Sequence, residues 1–164
     1  MQPIPSSTPP KADVAPQFTP AALLRPVFGR QRLFDADGTQ RFVPLRPAST
    51  ATGILRFDEF IDLVHQGLDV AAAARRMHVP LYKLSHFVEL LTGVNGKTFV
   101  EQYRVELAAV LLRYTSQSIE AIARRCGYAQ RVGLDRCFLR YRQLSPSDYR
   151  NQSRQAGDED RYAP

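Results

Sequence analysis

Two arginines five positions apart, Arg131 and Arg136, carry the most pointed chemistry in this 164-residue chain. A guanidinium offers paired donors that match O6 and N7 of guanine, so each arginine could read a base edge. Either could equally contact phosphate or sit solvated. Around them, Gln130 could read adenine, Gly133 would allow close approach, and Arg140 adds a further donor. Asp135 would repel phosphate. It could accept from a cytosine amine, pair with a neighbouring arginine, or cap locally. A weaker set lies upstream at Tyr82, Lys83, Ser85 and His86, where His86 could be merely exposed and Tyr82 could pack on a neighbour. Arg75, Arg76, Arg124 and Arg125 read as solvent-facing.

Other chemistry is poorly served. No glycine-rich phosphate loop, nucleophile elbow or workable Ser/His/Asp order is present, and the carboxylates are scattered, so no enzyme and no cofactor are expected. The three histidines and two cysteines lack metal-ligand spacing, so no metal is expected either. Cys126 and Cys137 read as small buried thiols of a reducing compartment. Asp35-x-Asp37-Gly38 lacks the remaining ligands of a calcium loop and reads as turn chemistry. No apolar run is long enough to span a membrane and no secretory signal is visible, so a soluble, cytoplasmic protein is expected.

The elements that hold these residues are helical. Residues 1–55 carry nine of the twelve prolines, which deny amide donors and predict a mostly disordered segment. Within it, 27–45 could form a short hairpin about Asp35–Thr39 or dock a partner; a floppy linker fits as well. From 56 to 152 the apolar spacing predicts about seven helices. Asp69 and Ser118 are placed to cap short helices, Pro80 to open one, and Gly93 and Gly127 to stop two. A longer helix is predicted over about 97–114. Residues 153–164 read as a disordered tail.

A weak repeat runs through the helical part. Residues 69–77 match 118–126, a turn follows each, and Leu84, Phe87 and Val88 then match Leu134, Cys137 and Phe138. The unit is cap, short helix, tight turn, second helix, which is helix-turn-helix geometry. Ala74 and Ala123 supply the small residue where the helices cross. A joining helix of about 18 residues spans roughly 27 Å. Two second helices held so far apart could reach successive major grooves, about 34 Å apart on one face of B-DNA. Charge separates the units. Residues 104–154 carry ten basic and four acidic side chains, whereas 56–103 carry five and six. Phosphate attraction supplies most non-specific affinity, so the second unit should dominate binding.

The motif string resembles the AraC/XylS family of bacterial transcription regulators. Ser118, Ile119, Ile122, Ala123, Gly127 and Tyr128 resemble the family's S-I-x-x-I-A-x-x-x-G-[FY]. Leu134–Phe138 is similar to F-S-R-x-F, and Ser145, Pro146, Tyr149 and Arg150 to S-P-x-x-[YF]-R. Leu91-Thr92-Gly93 and the segment from Arg104 to Ala108 resemble E-T-G and R-[LI]-x-x-A. The resemblance implies an all-α fold of two helix-turn-helix subdomains joined by a long linker helix. It also implies sequence-specific binding of promoter double-stranded DNA by both second helices, activation rather than repression, and RNA polymerase as a further partner. A small-molecule effector is not expected, since the upstream residues are too few for a β-barrel sensor. The departures are His78 where a glycine is usual, Asn95-Gly96 for Ser-Pro, and Arg142-Gln143 for an aromatic-Gly pair. The first unit fits worst. The alternative is a protein-interaction module or anti-activator that keeps the fold with a weakened first unit.

Overall fold

A computed structural model describes residues 18–44, 51–155 and 162–163. The predicted tail otherwise lies outside the described residues, as do 1–17 and 45–50. The element order is β1 (Arg30–Phe34), β2 (Gln40–Pro44), α1 (Leu55–His65), α2 (Val70–Arg76), α3 (Leu81–Thr92), α4 (Gly96–Tyr114), α5 (Ile119–Arg125), α6 (Arg131–Arg142), α7 (Pro146–Gln155) and β3 (Tyr162–Ala163). Strands β1 and β2 pair antiparallel, with Arg32 opposite Phe42, and β3 adds to the other edge of β1.

Helix starts follow the residues placed to make them. Asp69 Oδ1 accepts from Ala72 N at 2.7 Å, and Ser118 Oγ accepts from Ala121 N at 3.1 Å. Each satisfies one of the orphan donors at a helix N-terminus. The Asn95 carboxamide does the same for α4, taking the Thr98 N–H at 2.9 Å. Ser145 opens α7 reciprocally, accepting from Asp148 N and donating to Asp148 Oδ2. Gly93 ends α3 in the left-handed region at φ 77°, and Gln143 takes that conformation at the end of α6 at φ 58°.

Two apolar clusters divide the helices, and α4 belongs to both. The first gathers α1, α2 and α3 around Phe57, Phe60, Phe99 and Tyr103, all fully buried. The second gathers α5 and α6 around Leu107, Leu111, Ile122, Leu134 and Phe138. Thus the first turns of α4 close one helix-turn-helix subdomain and its last turns close the other. Ala74 and Ala123 are buried at the helix crossings, where larger side chains would force the pairs apart.

Residues 18–28 also contribute to the core. Leu23 is buried in the first cluster and Phe28 in the second. The sequence alone gave these residues no such place, because one turn flanked by prolines has no helical period to read.

Candidate nucleic-acid interface

The second helix of each unit is locked by its apolar side. In α3, Leu84 and Val88 are buried, leaving Tyr82, Lys83, His86 and Glu89 exposed. Tyr82 is 70% exposed, so it does not pack on a neighbour. In α6, Leu134 and Phe138 are buried, leaving Gln130 at the cap and Arg131, Val132, Arg136 and Arg140 exposed. Phe138 is fixed from behind by the Tyr149 ring, edge-on at 5.3 Å.

Two of the residues expected on the interface have close neighbours within the protein. Ser85 is half-buried and its Oγ accepts from Gly96 N at 3.3 Å, so it joins α3 to the start of α4. Gly96 itself is packed so closely that a Cβ there would meet Val70 at 2.8 Å. A Cβ at Gly133 would lie 3.1 Å from the Tyr128 ring, so its missing side chain makes room for Tyr128.

The arginines of α6 differ in how they are held. Arg131 donates to Glu120 Oε1 at 3.0 Å and to Ser147 Oγ at 3.3 Å, and its Nε lies 3.4 Å from Asp135 Oδ2. The hydrogen bond to Glu120 and the Asp135 charge push its pKa up, so it stays cationic. Asp135 thus pairs with Arg131 within the protein. Arg140 bonds Glu101 of the linker helix at 3.1 Å, and its pKa is raised by the Tyr141 hydroxyl and the Glu101 charge. Arg136 is exposed and makes no ion pair among the described residues.

Sequence reasoning missed the linker's part in this face. Glu101 accepts from both Arg140 and Tyr141, and Glu106 pairs with Arg142. These partners lie some forty positions apart in sequence, so no local spacing signals them. Glu101 also lines a cleft of about 510 Å³ with Leu81 and Ser85 of α3 and Lys97 and Arg104 of α4. Residues of both second helices therefore approach the linker at Glu101.

The turns are joined directly. Gly67, between α1 and α2, meets Gly127, between α5 and α6: a Cβ on Gly127 would fall 2.3 Å from Gly67 O. Arg104 Nη2 donates to that carbonyl at 2.8 Å, and its guanidinium lies 5.4 Å from the centre of the Tyr128 ring. Gly127 has φ 84°, and His78 occupies the corresponding turn of the first unit at φ 55°. Both cysteines are free, and burial pushes the Cys126 thiol up to about 12, an inert group.

The profile of a helix-turn-helix domain family matches residues 55–152. The chain belongs to this family, in its AraC type. Its members are DNA-binding transcription regulators. The regulatory protein SoxS of Escherichia coli is 33% identical over 94 residues, 57% of this chain and 85% of SoxS. An uncharacterized helix-turn-helix regulator of Haemophilus influenzae is 40% identical over 58 residues, covering 35% of this chain and 20% of the relative. The chain thus spans most of one such relative and a fifth of the other. Among solved structures, the DNA-binding domain of the global transcriptional factor AdpA, in complex with a target DNA, is 28% identical with a TM-score of 0.53. That match covers 58% of this chain and 86% of the AdpA domain. Among the described residues, no helix is long and apolar enough to cross a membrane.

Proposed function

We propose that this protein binds promoter DNA sequence-specifically, with α3 and α6 lying in successive major grooves on one face of the duplex. The observation that supports the reading is Glu101 of the 19-residue linker helix, which bonds Arg140 of α6 and lines a cleft with Leu81 and Ser85 of α3. Such a helix is roughly 28 Å long. With the offset of the recognition helices, that approaches the groove repeat of about 34 Å. The AdpA domain, solved on its target DNA, supports it as a similar protein.

The two helices have unequal parts. Arg131 and Arg136 read bases, and Gln130 and Arg140 contact a base or phosphate nearby. Asp135 aims Arg131 rather than touching DNA. In α3, Tyr82, Lys83 and His86 supply the weaker contacts. Arg131 leaves Glu120 when guanine offers it paired acceptors. This exchange costs little in an exposed site, where ion pairs are worth under about 1 kcal/mol.

Activation is the regulatory sense proposed, on the strength of the family resemblance. Selection of bound sequences from a random duplex pool with the full chain tests the whole reading. A bipartite consensus spanning two major grooves is expected, with a reporter behind it rising when the protein is supplied. Failure to enrich any sequence at physiological salt, with co-purification of another regulator, would instead make the chain an interaction module.

A further inference from the structure

The residues just upstream of the two units run across both of them. A single turn, with Ala22 N donating to Thr19 Oγ1 and Leu23 N to Thr19 O, drives Leu23 into the first cluster. Phe18 lies against Phe57 at 5.7 Å between ring centres. Leu24 touches both clusters, and Val27 and Phe28 reach the second, with Phe28 edge-on to Tyr114 at 6.2 Å. Between these anchors Arg25 is 13% exposed and bonds Asp62 at 2.7 Å and Asp58 at 3.3 Å. Its backbone N–H donates to the Tyr103 hydroxyl at 3.1 Å. Tyr103 is the last α4 residue of the first cluster and Val105 the first of the second, so that bond sits at the seam.

We infer that residues 18–28 are a brace that fixes the angle between the two recognition helices, and thereby selects the spacing between the two halves of the DNA site. The physical case is leverage. A helix joining two bodies bends gently, and a small bend at the seam displaces the far recognition helix by ångströms. The Gly67–Gly127 contact pins the two bodies at one point, and the strap, off the helix axis and gripping both bodies, is a further tie that resists that bend. Pro20 and Pro26 hold φ fixed within the strap, so little of its freedom remains to be lost. Arg25 is the positioning residue. It touches no DNA, and it holds the strap to α1 and to the seam at once.

The inference rests on the two-groove reading for its consequence, and the test separates the two. Spin labels at Leu90→Cys on α3 and Leu139→Cys on α6, in a Cys137→Ser background, report the distance between the recognition helices without DNA; Cys126 is too buried to label. The braced chain should give one narrow distance distribution. Leu23→Ala/Arg25→Ala/Phe28→Ala should at least double its width, and Arg25→Gln, which keeps the apolar anchors, should give an intermediate width. On DNA, inserting one base pair between the half-sites should cost the braced chain at least tenfold in affinity. It should cost the triple variant less than threefold, with affinity for an isolated second half-site unchanged within twofold. An unbroadened distribution in a triple variant that retains its helix content, or an undiminished spacing preference, overturns the brace. If no duplex is selected at all, the DNA reading fails while the label distances still decide the brace.

Discussion

The two helix-turn-helix units share a plan and differ at the points where the backbone must turn left. Each needs two left-handed residues, one between its helices and one after the second helix. The first unit uses His78 and Gly93, and the second uses Gly127 and Gln143. A side chain in that region costs roughly 1–2 kcal/mol, so each unit carries one strained turn and one relaxed one. The relaxed glycine between helices falls in the second unit, where Gly67 O leaves no room for a Cβ. His78 is exposed and meets no such constraint. The family's usual glycine at this turn is thus dispensable where the turn faces solvent and indispensable where it touches the other unit.

The comparison breaks most sharply at Gly127. Gly127→Ala combines the conformational cost with a clash against backbone, and should destabilise the protein by about 3 kcal/mol or more in urea unfolding. A loss near 1 kcal/mol would mean that the Gly67–Gly127 contact yields easily. Next come the recognition helices. Arg131→Ala and Arg136→Ala should each weaken binding to a selected site by about 1–3 kcal/mol. Lys83→Ala and His86→Ala should cost less than half as much. Equal losses on both helices, measured by titration at fixed salt, would erase the proposed inequality between the units. His78→Gly should raise stability by about 0.5–1 kcal/mol, the relief of the left-handed residue less the added freedom of the unfolded chain.

The smallest effect is a pH dependence centred on His65 of α1. His65 Nδ1 lies 3.0 Å from the Tyr103 hydroxyl, and burial, together with the Arg125 charge, lowers its pKa below 6.5 despite Asp62 nearby. The unfolded chain therefore takes up the proton first. Stability is full above about pH 6.5 and falls as the pH drops through that value. His65→Gln should flatten the midpoint of unfolding between pH 7.5 and 5.5; an unchanged slope would show that His65 is not the group responsible.

Much of this arrangement was readable from local residue types. Asp69 and Ser118 announce helix starts because capping needs only a short oxygen-bearing side chain, and the apolar residues of α3 and α6 announce their inner faces by period. The match between residues 69–77 and 118–126 then reveals the duplicated plan. What resisted reading depends on partners distant in sequence. Ser85 was indistinguishable from a surface residue until Gly96 was placed beside it, and the room that Gly133 leaves for Tyr128 had no local sign. Glu101 and Glu106 gave no signal, and Arg104 only its place in the family-like R-[LI]-x-x-A segment, since their partners lie in other elements. Residues 18–28 resisted for another reason: prolines at 20 and 26 suggest disorder as readily as a stiffened strap.

Where the two turns meet, the joint is main chain: a carbonyl at Gly67 against the α-carbon of Gly127, with Arg104 as its side-chain fastening. Mutational drift along the outer faces of α3 and α6 leaves that joint untouched. On the proposed two-groove reading, descendants of this chain can acquire new target sequences one helix at a time while inheriting an unchanged frame, and the two glycines should be the last positions to vary among them.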